Sequence, residues 1–559
     1  MVGVAYSALV VLGLYLLTGL ARMTSFGQAA FMGVSAYTTA LVSARYGLSP
    51  WLGLMAGVAM AGAAAWGLGA LTVRLRGHFL PLATIAWQVA LFIVMGNLTG
   101  ITGGHTGLTG VPPVSVFGLE LRTSGQVYYL AWLLVLLAAW GAFNITHSRT
   151  GRALRALRGD AVAAASVGVN PAALKLWVFV LAGVFAGLAG WLYAHFWRFV
   201  NPTPFGLEAS ITYLIMGVVG GVGTLPGVFV GAALITGLEH WLQDLLPRVF
   251  GRSGNYEVIA LGLILVVILH RAPRGLWAFV EGYLPRRRSE APCGAGLPPR
   301  AKTGEAGEAL LEVAGLSRAF GGLVAVNNLS FSLRRGEILG LIGPNGAGKT
   351  TLFNLVTGVL APTSGAVYYR GQRLSGLKPF DVAGRGLART FQHPHLFSEM
   401  TVLENAALGA YGRTGAGMIA SMLRLDRGEE RRALAEAYRQ LRRVGLAELA
   451  GSKAGGLPLG KQRLLEIARA LAADPELLLL DEPGAGLRAG EKAELAALVR
   501  RLAGEGVTVL FVDHDMDLVM GLVDRLVVMH YGEKLAEGSP REVQSNPQVM
   551  EAYLGGAVT

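Results

Sequence analysis

A run of eight residues in the second half of the chain combines glycines, a lysine and a threonine. Their spacing is typical of a loop that binds nucleotide phosphates. They are Gly343, Pro344, Asn345, Gly346, Ala347, Gly348, Lys349 and Thr350, followed by Thr351. An apolar run at 338–342 precedes them and a periodic stretch follows, so the pattern predicts strand, loop and helix. In such a loop backbone N–H groups surround the phosphates, Lys349 binds the β- and γ-phosphates, and Thr350 binds Mg²⁺. We therefore expect an ATP site that uses magnesium.

Two further strand ends carry groups suited to the same chemistry. The apolar run 477–480 ends at Asp481 and Glu482, and the run 507–512 ends at Asp513, His514 and Asp515. Asp481 is suited to be a second Mg²⁺ ligand, and Glu482 is suited to polarise the attacking water. His514 is suited to contact the γ-phosphate. The alternative for Glu482 and His514 is ordinary solvation at a strand end. The loop, the carboxylate pair and the histidine in this order favour hydrolysis of a nucleotide.

The elements before residue 285 have a different character. The chain is 53% hydrophobic and 15% charged, and the first 284 residues hold 15 Lys/Arg and 7 Asp/Glu. A hydrocarbon core about 30 Å thick is crossed by about 20 helical residues. The sequence therefore predicts an α-helical polytopic membrane domain with apolar spans near 2–21, 28–44, 51–72, 79–96, 126–146, 174–196, 208–222, 227–243 and 256–270.

Basic residues between the spans predict their orientation. Clusters at Arg22, 74–76, 149–158, 271–274 and 286–288 can all lie on the cytoplasmic side if the first span starts outside. That first span has no charged segment before it and no small-residue cleavage site, so we expect it to be retained. Almost no charge lies inside the spans, and the energy source is therefore expected to be the nucleotide site.

Two glycine-rich stretches in this half leave alternatives open. The spans 208–222 and 227–243 are short and separated by 220–227, which is typical of broken helices that line a transporter cavity; one long kinked helix is the alternative. The stretch 101–110 either borders a substrate entry or is a simple cluster of turns.

Composition divides the chain into three parts. We predict a transmembrane permease domain over 1–284, a Pro/Gly-rich linker over 285–309 and an α/β domain with a mostly parallel sheet over 310–559. The chain's only cysteine, Cys293, lies in the linker, which excludes a disulfide framework and favours an incidental thiol.

Residues 310–555 resemble an ATP-binding-cassette (ABC) ATPase. Gln392 matches the family's Q-loop glutamine, which contacts Mg²⁺ and the permease, and Phe320 matches the aromatic that stacks on adenine. The run 457–463 occupies the position of the signature motif L-S-G-G-Q, where Pro458 and Lys461 depart from the pattern and Gly460 keeps it. The resemblance implies that Gly460 contributes to the ATP site of a second cassette.

Other segments resemble branched-chain amino acid ABC transporters, with an M-type permease fused to a G-type ATP-binding subunit. In the cassette they are 320–326, 388–392, 513–516 and 551–555, and in the permease 25–31, 75–79, 101–107 and 271–276. The resemblance implies an importer for branched-chain amino acids or a related small polar solute, in a bacterial cytoplasmic (inner) membrane. It also implies three partners besides membrane lipid: a second permease subunit, a second ABC ATPase subunit and an extracytoplasmic solute-binding protein.

The stretch 151–160 resembles the family's coupling loop. Arg152, Arg155 and Arg158 recur every three residues beside Leu154 and Leu157, which predicts a short amphipathic helix. A positive anchor on the lipid headgroups is the alternative.

Rival functions are an ABC exporter and a membrane protein that nucleotide binding gates without turnover. A positioned Glu482 favours turnover over gating. The net charge of +12 comes from arginines without an interleaved aromatic surface, so we do not expect a nucleic-acid partner.

Overall fold

The computed structural model describes residues 1–75, 79–116, 118–250, 256–283, 292, 294–301, 304–305 and 307–554. Cys293, other parts of the predicted linker, the 76–78 part of one permease segment and the tail from Gly555 lie outside these residues. The chain forms two compact units. The membrane unit comprises Met1–Arg158, Ala172–Arg287 and Gly417–Leu425, and the cassette unit comprises Gly159–Pro171, Arg288–Ala416 and Asp426–Thr559.

The membrane unit is helical, as its apolar runs predict. Six of its described helices are long and apolar enough to cross a membrane: Val2–Leu20, Pro50–Thr72, Phe79–Asn97, Ser124–Thr146, Pro171–Trp197 and Leu225–Leu246. The helices up to residue 281 are α1 Val2–Leu14, α2 Gln28–Ala40, α3 Pro50–Thr72, α4 Phe79–Asn97, α5 Thr99–Thr102, α6 Ser124–Thr146, α7 Arg149–Gly159, α8 Ala161–Ala165, α9 Pro171–Trp197, α10 Leu207–Gly220, α11 Leu225–Phe250, α12 Tyr256–Arg271 and α13 Trp277–Glu281.

Short elements complete this half. Two π-helices, Tyr15–Leu20 and Leu41–Arg45, extend α1 and α2. The four short strands are β1 Leu108–Thr109, β2 Ser115–Val116, β3 Leu119–Glu120 and β4 Phe199–Val200. β1 pairs with β4, which fixes the end of the glycine-rich stretch 101–110 against the residues after α9.

The predicted pair of short spans forms two packed helices and not one kinked helix. α10 ends at Gly221, whose φ of +114° only glycine adopts readily. α11 then runs beside it so closely that a Cβ at Gly231 would lie 1.8 Å from the carbonyl oxygen of Met216. The second helix is longer than the sequence predicts, at 26 residues. Small residues allow this approach in a bilayer, where packing replaces the hydrophobic effect between helices.

A buried glutamine joins three parts of the membrane unit. Gln88 on α4 accepts the N–H of Ala30 at 2.8 Å and the hydroxyl of Ser210 at 3.1 Å. Its amide also donates to the carbonyl oxygen of Phe205 at 2.6 Å. A buried side-chain amide needs such partners, and Gln88 thereby fixes α2, α4 and α10 to one another.

The cassette unit contains two sheets. Its strands are β5 Ala309–Phe320, β6 Leu323–Arg334, β7 Ile338–Ile342, β8 Ser364–Tyr369, β9 Gln372–Arg373, β10 Leu387–Arg389, β11 Leu477–Asp481, β12 Thr508–Val512, β13 Arg525–His530 and β14 Glu533–Gly538. The six-stranded sheet has the order β10-β11-β12-β7-β13-β14, with every pair parallel except β13–β14. The antiparallel sheet has the order β6-β5-β8-β9.

Helices cover the parallel sheet, and β7, β11 and β12 are buried along their whole length. The remaining helices are α14 Lys349–Val356, α15 Pro379–Gly384, α16 Val402–Gly409, α17 Met418–Met422, α18 Arg427–Arg443, α19 Leu459–Ala472, α20 Ala489–Gly504, α21 Met516–Leu522, α22 Pro540–Gln544 and α23 Pro547–Leu554. All belong to the cassette unit except α17, which belongs to the membrane unit. In such a sheet ligands bind at the carboxyl ends of the strands, which is where β7, β11 and β12 deliver the predicted site residues.

Candidate nucleotide site

The phosphate loop connects β7 to α14 and is shaped by three glycines. Gly343, Gly346 and Gly348 have φ values of +155°, +83° and +98°. A Cβ at Gly343 would lie 2.2 Å from the carbonyl oxygen of Met529, and one at Gly348 would lie 2.3 Å from that of Ala325. The first and third glycines are therefore required by conformation and by space, and the loop presents its amides at a helix N-terminus as phosphate binding requires.

The side chain of Lys349 folds back over this loop. Its Nζ donates to the carbonyl oxygens of Gly343 at 2.7 Å and Pro344 at 3.0 Å. Burial lowers the pKa of Lys349, and the carboxylates of Glu482 and Asp481 oppose that shift. The cation thus faces both the loop and the two acidic residues.

The other loop residues occupy the positions that the motif predicts. Asn345 and Gly346 are exposed at the tip of the loop, and Ala347 is buried beneath it. Thr350 and Thr351 lie in the first turn of α14, with Thr350 exposed.

Asp481 ends β11 with its side chain buried. Its Oδ2 has no hydrogen-bond partner among the described residues. Burial raises the pKa of Asp481 to about 6, with Glu482 adding to the shift and Arg389 opposing it. A buried carboxylate oxygen without a donor costs free energy unless a cation binds it, so this residue fits a Mg²⁺ ligand.

Glu482 lies at the centre of the predicted catalytic groups. Its backbone has a φ of +47°, and its N–H donates to the carbonyl oxygen of Val512 at 2.8 Å. The Gln392 amide donates to Glu482 Oε2 at 3.2 Å, and His514 Nδ1 lies 3.7 Å from the same oxygen. The structure therefore brings Gln392, Glu482 and His514 together from three separate parts of the sequence.

Phe320 and Gly460 lie elsewhere in the cassette unit. Phe320 ends β5 in the antiparallel sheet, with its ring 43% exposed and the Arg318 guanidinium 4.7 Å from the ring centroid. Gly460 lies in the first turn of α19, where a Cβ would approach Glu491 to 2.6 Å. An exposed ring suits stacking on a base, and a signature glycine that serves a second cassette is expected to face outward.

Asp513 has no role in the sequence prediction, although its carboxylate holds two loops of the site. Its buried carboxylate accepts the N–H groups of His514 at 2.8 Å and Asp515 at 3.1 Å through Oδ1. Its Oδ2 accepts the N–H of Gly484 at 2.9 Å, two residues after Glu482. Its position next to His514 at a strand end was the available signal.

Helix α19 also holds the segment that carries Gln392. Arg463 donates to the carbonyl oxygen of Phe391 at 2.8 Å and also to that of Gln392, and Glu466 accepts the N–H of Phe391 at 3.2 Å. Arg469 donates to the carbonyl oxygen of His395 at 2.7 Å and pairs with Glu466 at 3.3 Å. Three side chains on one face of the signature helix thus fix residues 391–395.

The predicted coupling loop forms helix α7. Leu154 and Arg152 are buried, at 0% and 4% exposed, which favours a protein environment over the headgroup-anchor alternative. The next residues, Gly159–Pro171, belong to the cassette unit. There Asp160 lies with Oδ2 2.5 Å from His395 Nδ1.

Two acidic residues follow closely after the segment that carries Gln392. Glu399 pairs with Lys453 at 2.9 Å, and Glu404 accepts the N–H of Thr401 in a capping box at the start of α16.

Comparison with known proteins finds different family models in the two halves of the chain. Residues 1–269 match the family model of the branched-chain amino acid transport system permease component. Residues 326–485 match the ABC transporter model, and 533–559 match a model of branched-chain amino acid ATP-binding cassette transporters.

Relatives and solved structures match the cassette half. The high-affinity branched-chain amino acid transport ATP-binding proteins LivG of Salmonella typhimurium and Escherichia coli are 47% and 46% identical over 251 residues, and BraF of Pseudomonas aeruginosa is 43% identical. Each match covers 44% of this chain and 98% of the relative. A nucleotide-free ATP-binding cassette from an ABC transporter is 33% identical, covering 44% of this chain and 99% of its own, with a TM-score of 0.40. The chain belongs to the branched-chain amino acid ABC transporter family, with a permease and an ATP-hydrolysing cassette joined in one polypeptide.

Proposed function

We propose that this chain is the fused permease and ATPase subunit of an importer for branched-chain amino acids in a bacterial cytoplasmic membrane. The observation that carries the proposal is the match of residues 1–269 to a branched-chain permease on the same chain as the Glu482 site. We assign the permease domain to 1–284, the linker to 285–309 and the cassette to 310–559.

In the ATP site, residues 343–351 bind the phosphates and Phe320 stacks on the adenine. Magnesium, when bound, neutralises charge that develops on the transferred phosphoryl group. Thr350, Gln392 and Asp481 are the residues that would hold it, and the orphaned buried oxygen of Asp481 supports that assignment.

Glu482 holds and orients the attacking water, while Gln392 and His514 position the Glu482 carboxylate and sense the γ-phosphate. The supporting contacts are the 3.2 Å and 3.7 Å distances to Glu482 Oε2. Lys349 leaves the two loop carbonyls to bind the β- and γ-phosphates.

One chain supplies half of the machinery. Gly460 lies on α19, a different element from β11, which carries Asp481 at its end, and it serves a second cassette in this proposal. The chain therefore works with a second permease subunit, a second ABC ATPase subunit and an extracytoplasmic solute-binding protein.

The test is uptake of labelled leucine, isoleucine and valine by vesicles that contain the full assembly, ATP inside and the binding protein outside. We expect uptake that requires all components and disappears in Lys349→Ala. Uptake of urea in place of the amino acids would overturn the substrate assignment. Outward movement of solute without the binding protein would identify an exporter, and transport without ATP turnover would identify a gated protein.

A further inference from the structure

A nine-residue segment of cassette sequence, Gly417–Leu425, belongs to the membrane unit. We call it the foot segment. The residues on both sides of it, Ala416 and Asp426, belong to the cassette unit. Its helix, α17, is followed by Arg424 in a left-handed conformation with a φ of +59°, which turns the chain back.

The foot segment packs on the last turns of α6 and on the start of α7 through specific contacts. Asn144 Nδ2 donates to the carbonyl oxygen of Met422 at 2.9 Å, and the hydroxyls of Thr150 and Ser421 lie 3.0 Å apart. Ser421 is fully buried and Asn144 nearly so. A Cβ at Gly141 would lie 2.8 Å from Met422 Cγ, so Gly141 makes the space that Met422 occupies.

These contacts set the depth of the foot segment along α6. Helix α6 spans Ser124–Thr146 and is a candidate membrane span. Gly141 precedes its final residue by five positions, which is about 7.5 Å at 1.5 Å per residue. Elements that lie in the membrane interface bury their apolar side about 5–10 Å into the boundary between headgroups and acyl chains. The foot segment therefore reaches the depth of that boundary.

The apolar side chains of the foot segment are exposed at that level. Ile419 is 64% exposed, Leu423 46% and Leu425 75%. The neighbouring surface of α6 is also exposed and apolar, at Leu133, Leu136, Leu137, Trp140 and Phe143. A span exposes such residues to acyl chains, and the foot segment is continuous with that surface through Gly141 and Asn144.

Exposed arginines flank these apolar residues. Arg424 and Arg427 are exposed on either side of Leu425. Guanidinium groups at the cytoplasmic surface attract anionic headgroups at about 1 kcal/mol each. Apolar residues beside basic ones at interface depth match the chemistry of a bilayer surface that contains anionic lipid.

We propose that the foot segment lies on the cytoplasmic face of the bilayer, with Ile419, Leu423 and Leu425 among the acyl chains.

The test uses the full chain with Cys293→Ser, labelled at Ile419→Cys or Leu423→Cys with an environment-sensitive fluorophore. The vesicles contain phosphatidylethanolamine and phosphatidylglycerol, with or without brominated acyl chains. Leu323→Cys is the matched control, because Leu323 is an exposed apolar residue of the cassette at 68% exposure. We expect brominated lipid to quench the label at 419 and 423 at least about twofold and to leave the label at 323 unchanged.

Emission typical of water and no quenching at 419 and 423 would overturn the proposal. The second permease and ATPase subunits are then added. Retained quenching supports lipid as the occupant, whereas loss of quenching with blue-shifted emission would show that a protein subunit covers the foot segment and would also overturn it. Replacing phosphatidylglycerol by phosphatidylcholine is expected to weaken the quenching, because the arginines lose their anionic partners.

Discussion

His395 Nδ1 lies 2.5 Å from Asp160 Oδ2, and the two residues are 235 positions apart in the sequence. Asp160 comes directly after the coupling helix α7, and its Oδ1 also accepts the N–H groups of Val162 at 2.7 Å and Ala163 at 3.0 Å. The His395 carbonyl oxygen is held by Arg469 of the signature helix. One carboxylate thus connects the end of the coupling helix to the segment that carries Gln392.

Replacing Asp160 by Asn is expected to separate transport from hydrolysis. Asparagine keeps the size of the side chain and one carbonyl oxygen for the helix cap, but it loses the charged partner of His395. We expect uptake per ATP hydrolysed to fall at least about threefold, because a hydrogen bond to a charged group contributes about 1.5–3 kcal/mol and this one is partly exposed. Nucleotide affinity should be unchanged. Asp381→Asn, a change at an acidic residue of α15, is the control, and normal coupling in Asp160→Asn would contradict the role.

The same contact predicts how acid affects stability. The hydrogen bond from His395 lowers the pKa of Asp160 from 3.8 to about 2, with the backbone donors Val162 and Ala163 adding to the shift. The pKa of Asp160 is lower in the folded state than in the unfolded state. Its contribution to the free energy of unfolding is therefore complete above about pH 4 and is lost as the pH falls through 2. The titratable side chains that face Asp160 are those of His395 and Arg469.

We therefore expect the wild-type chain to exceed Asp160→Asn in stability by about 1 kcal/mol at pH 6, after allowance for solvent screening. The difference should disappear near pH 2. Acid unfolding followed by circular dichroism measures it, and a difference that stays constant down to pH 2 would contradict the assignment.

Lys349→Ala and Glu482→Gln are expected to fail in different ways. Alanine removes the ammonium that we propose binds the phosphates, so ATP affinity should fall at least about tenfold, as expected from the loss of a charge-assisted hydrogen bond. Glutamine keeps the shape of Glu482 but cannot polarise water, so hydrolysis should stop while ATP binding persists. Equilibrium binding of labelled ATP and phosphate release distinguish the two. Equally poor ATP binding in both variants would be inconsistent with the role of Glu482.

Glu466→Ala is expected to loosen the segment that carries Gln392. Arg469 is buried, and alanine would leave its guanidinium without the carboxylate at 3.3 Å. Removing one partner of a buried ion pair lowers the free energy of unfolding by about 3–5 kcal/mol. Glu466→Gln should destabilise the protein less, because the carbonyl oxygen of glutamine still accepts the Phe391 N–H.

Hydrogen exchange of the peptide 389–397 in the full chain provides the measurement. We expect faster exchange in Glu466→Ala than in Glu466→Gln, and no change in the control Glu494→Ala at an exposed site of α20. Wild-type protection in Glu466→Ala would show that α19 does not hold this segment.

The sequence predicts the elements of the site better than the contacts among them. Glu482 and His514 follow apolar runs, and parallel strands end at one edge, so their approach is expected. The contact between Glu466 and Phe391 joins residues 75 positions apart and has no local signal, because an acidic residue on a helix is usually solvated. The foot segment has no local signal either, since its apolar residues suit a core helix as well as a membrane surface.

The last prediction concerns the altered signature motif. Pro458 is the N-cap of α19 and makes no side-chain hydrogen bond there. Proline also lacks a backbone N–H. In the resembled family a serine at this position donates to the γ-phosphate held by the opposite cassette, so two donors are missing here. A hydrogen bond to a charged group contributes about 1.5–3 kcal/mol, and losing one slows turnover by roughly ten- to a hundred-fold.

We therefore expect the two ATP sites of the assembly to be unequal, with the faster one using Lys349 and Glu482 of this chain and the partner's signature. Pro458→Ser should raise ATPase activity, while Glu482→Gln should remove most of it. Ser at an N-cap also stabilises a helix by about 1 kcal/mol, so Pro458→Ala, which restores the N–H without the hydroxyl, is the matched control. If Pro458→Ser leaves turnover unchanged in the full assembly, Gly460 and the N-terminus of α19 are sufficient for the partner's site, and the asymmetry is absent.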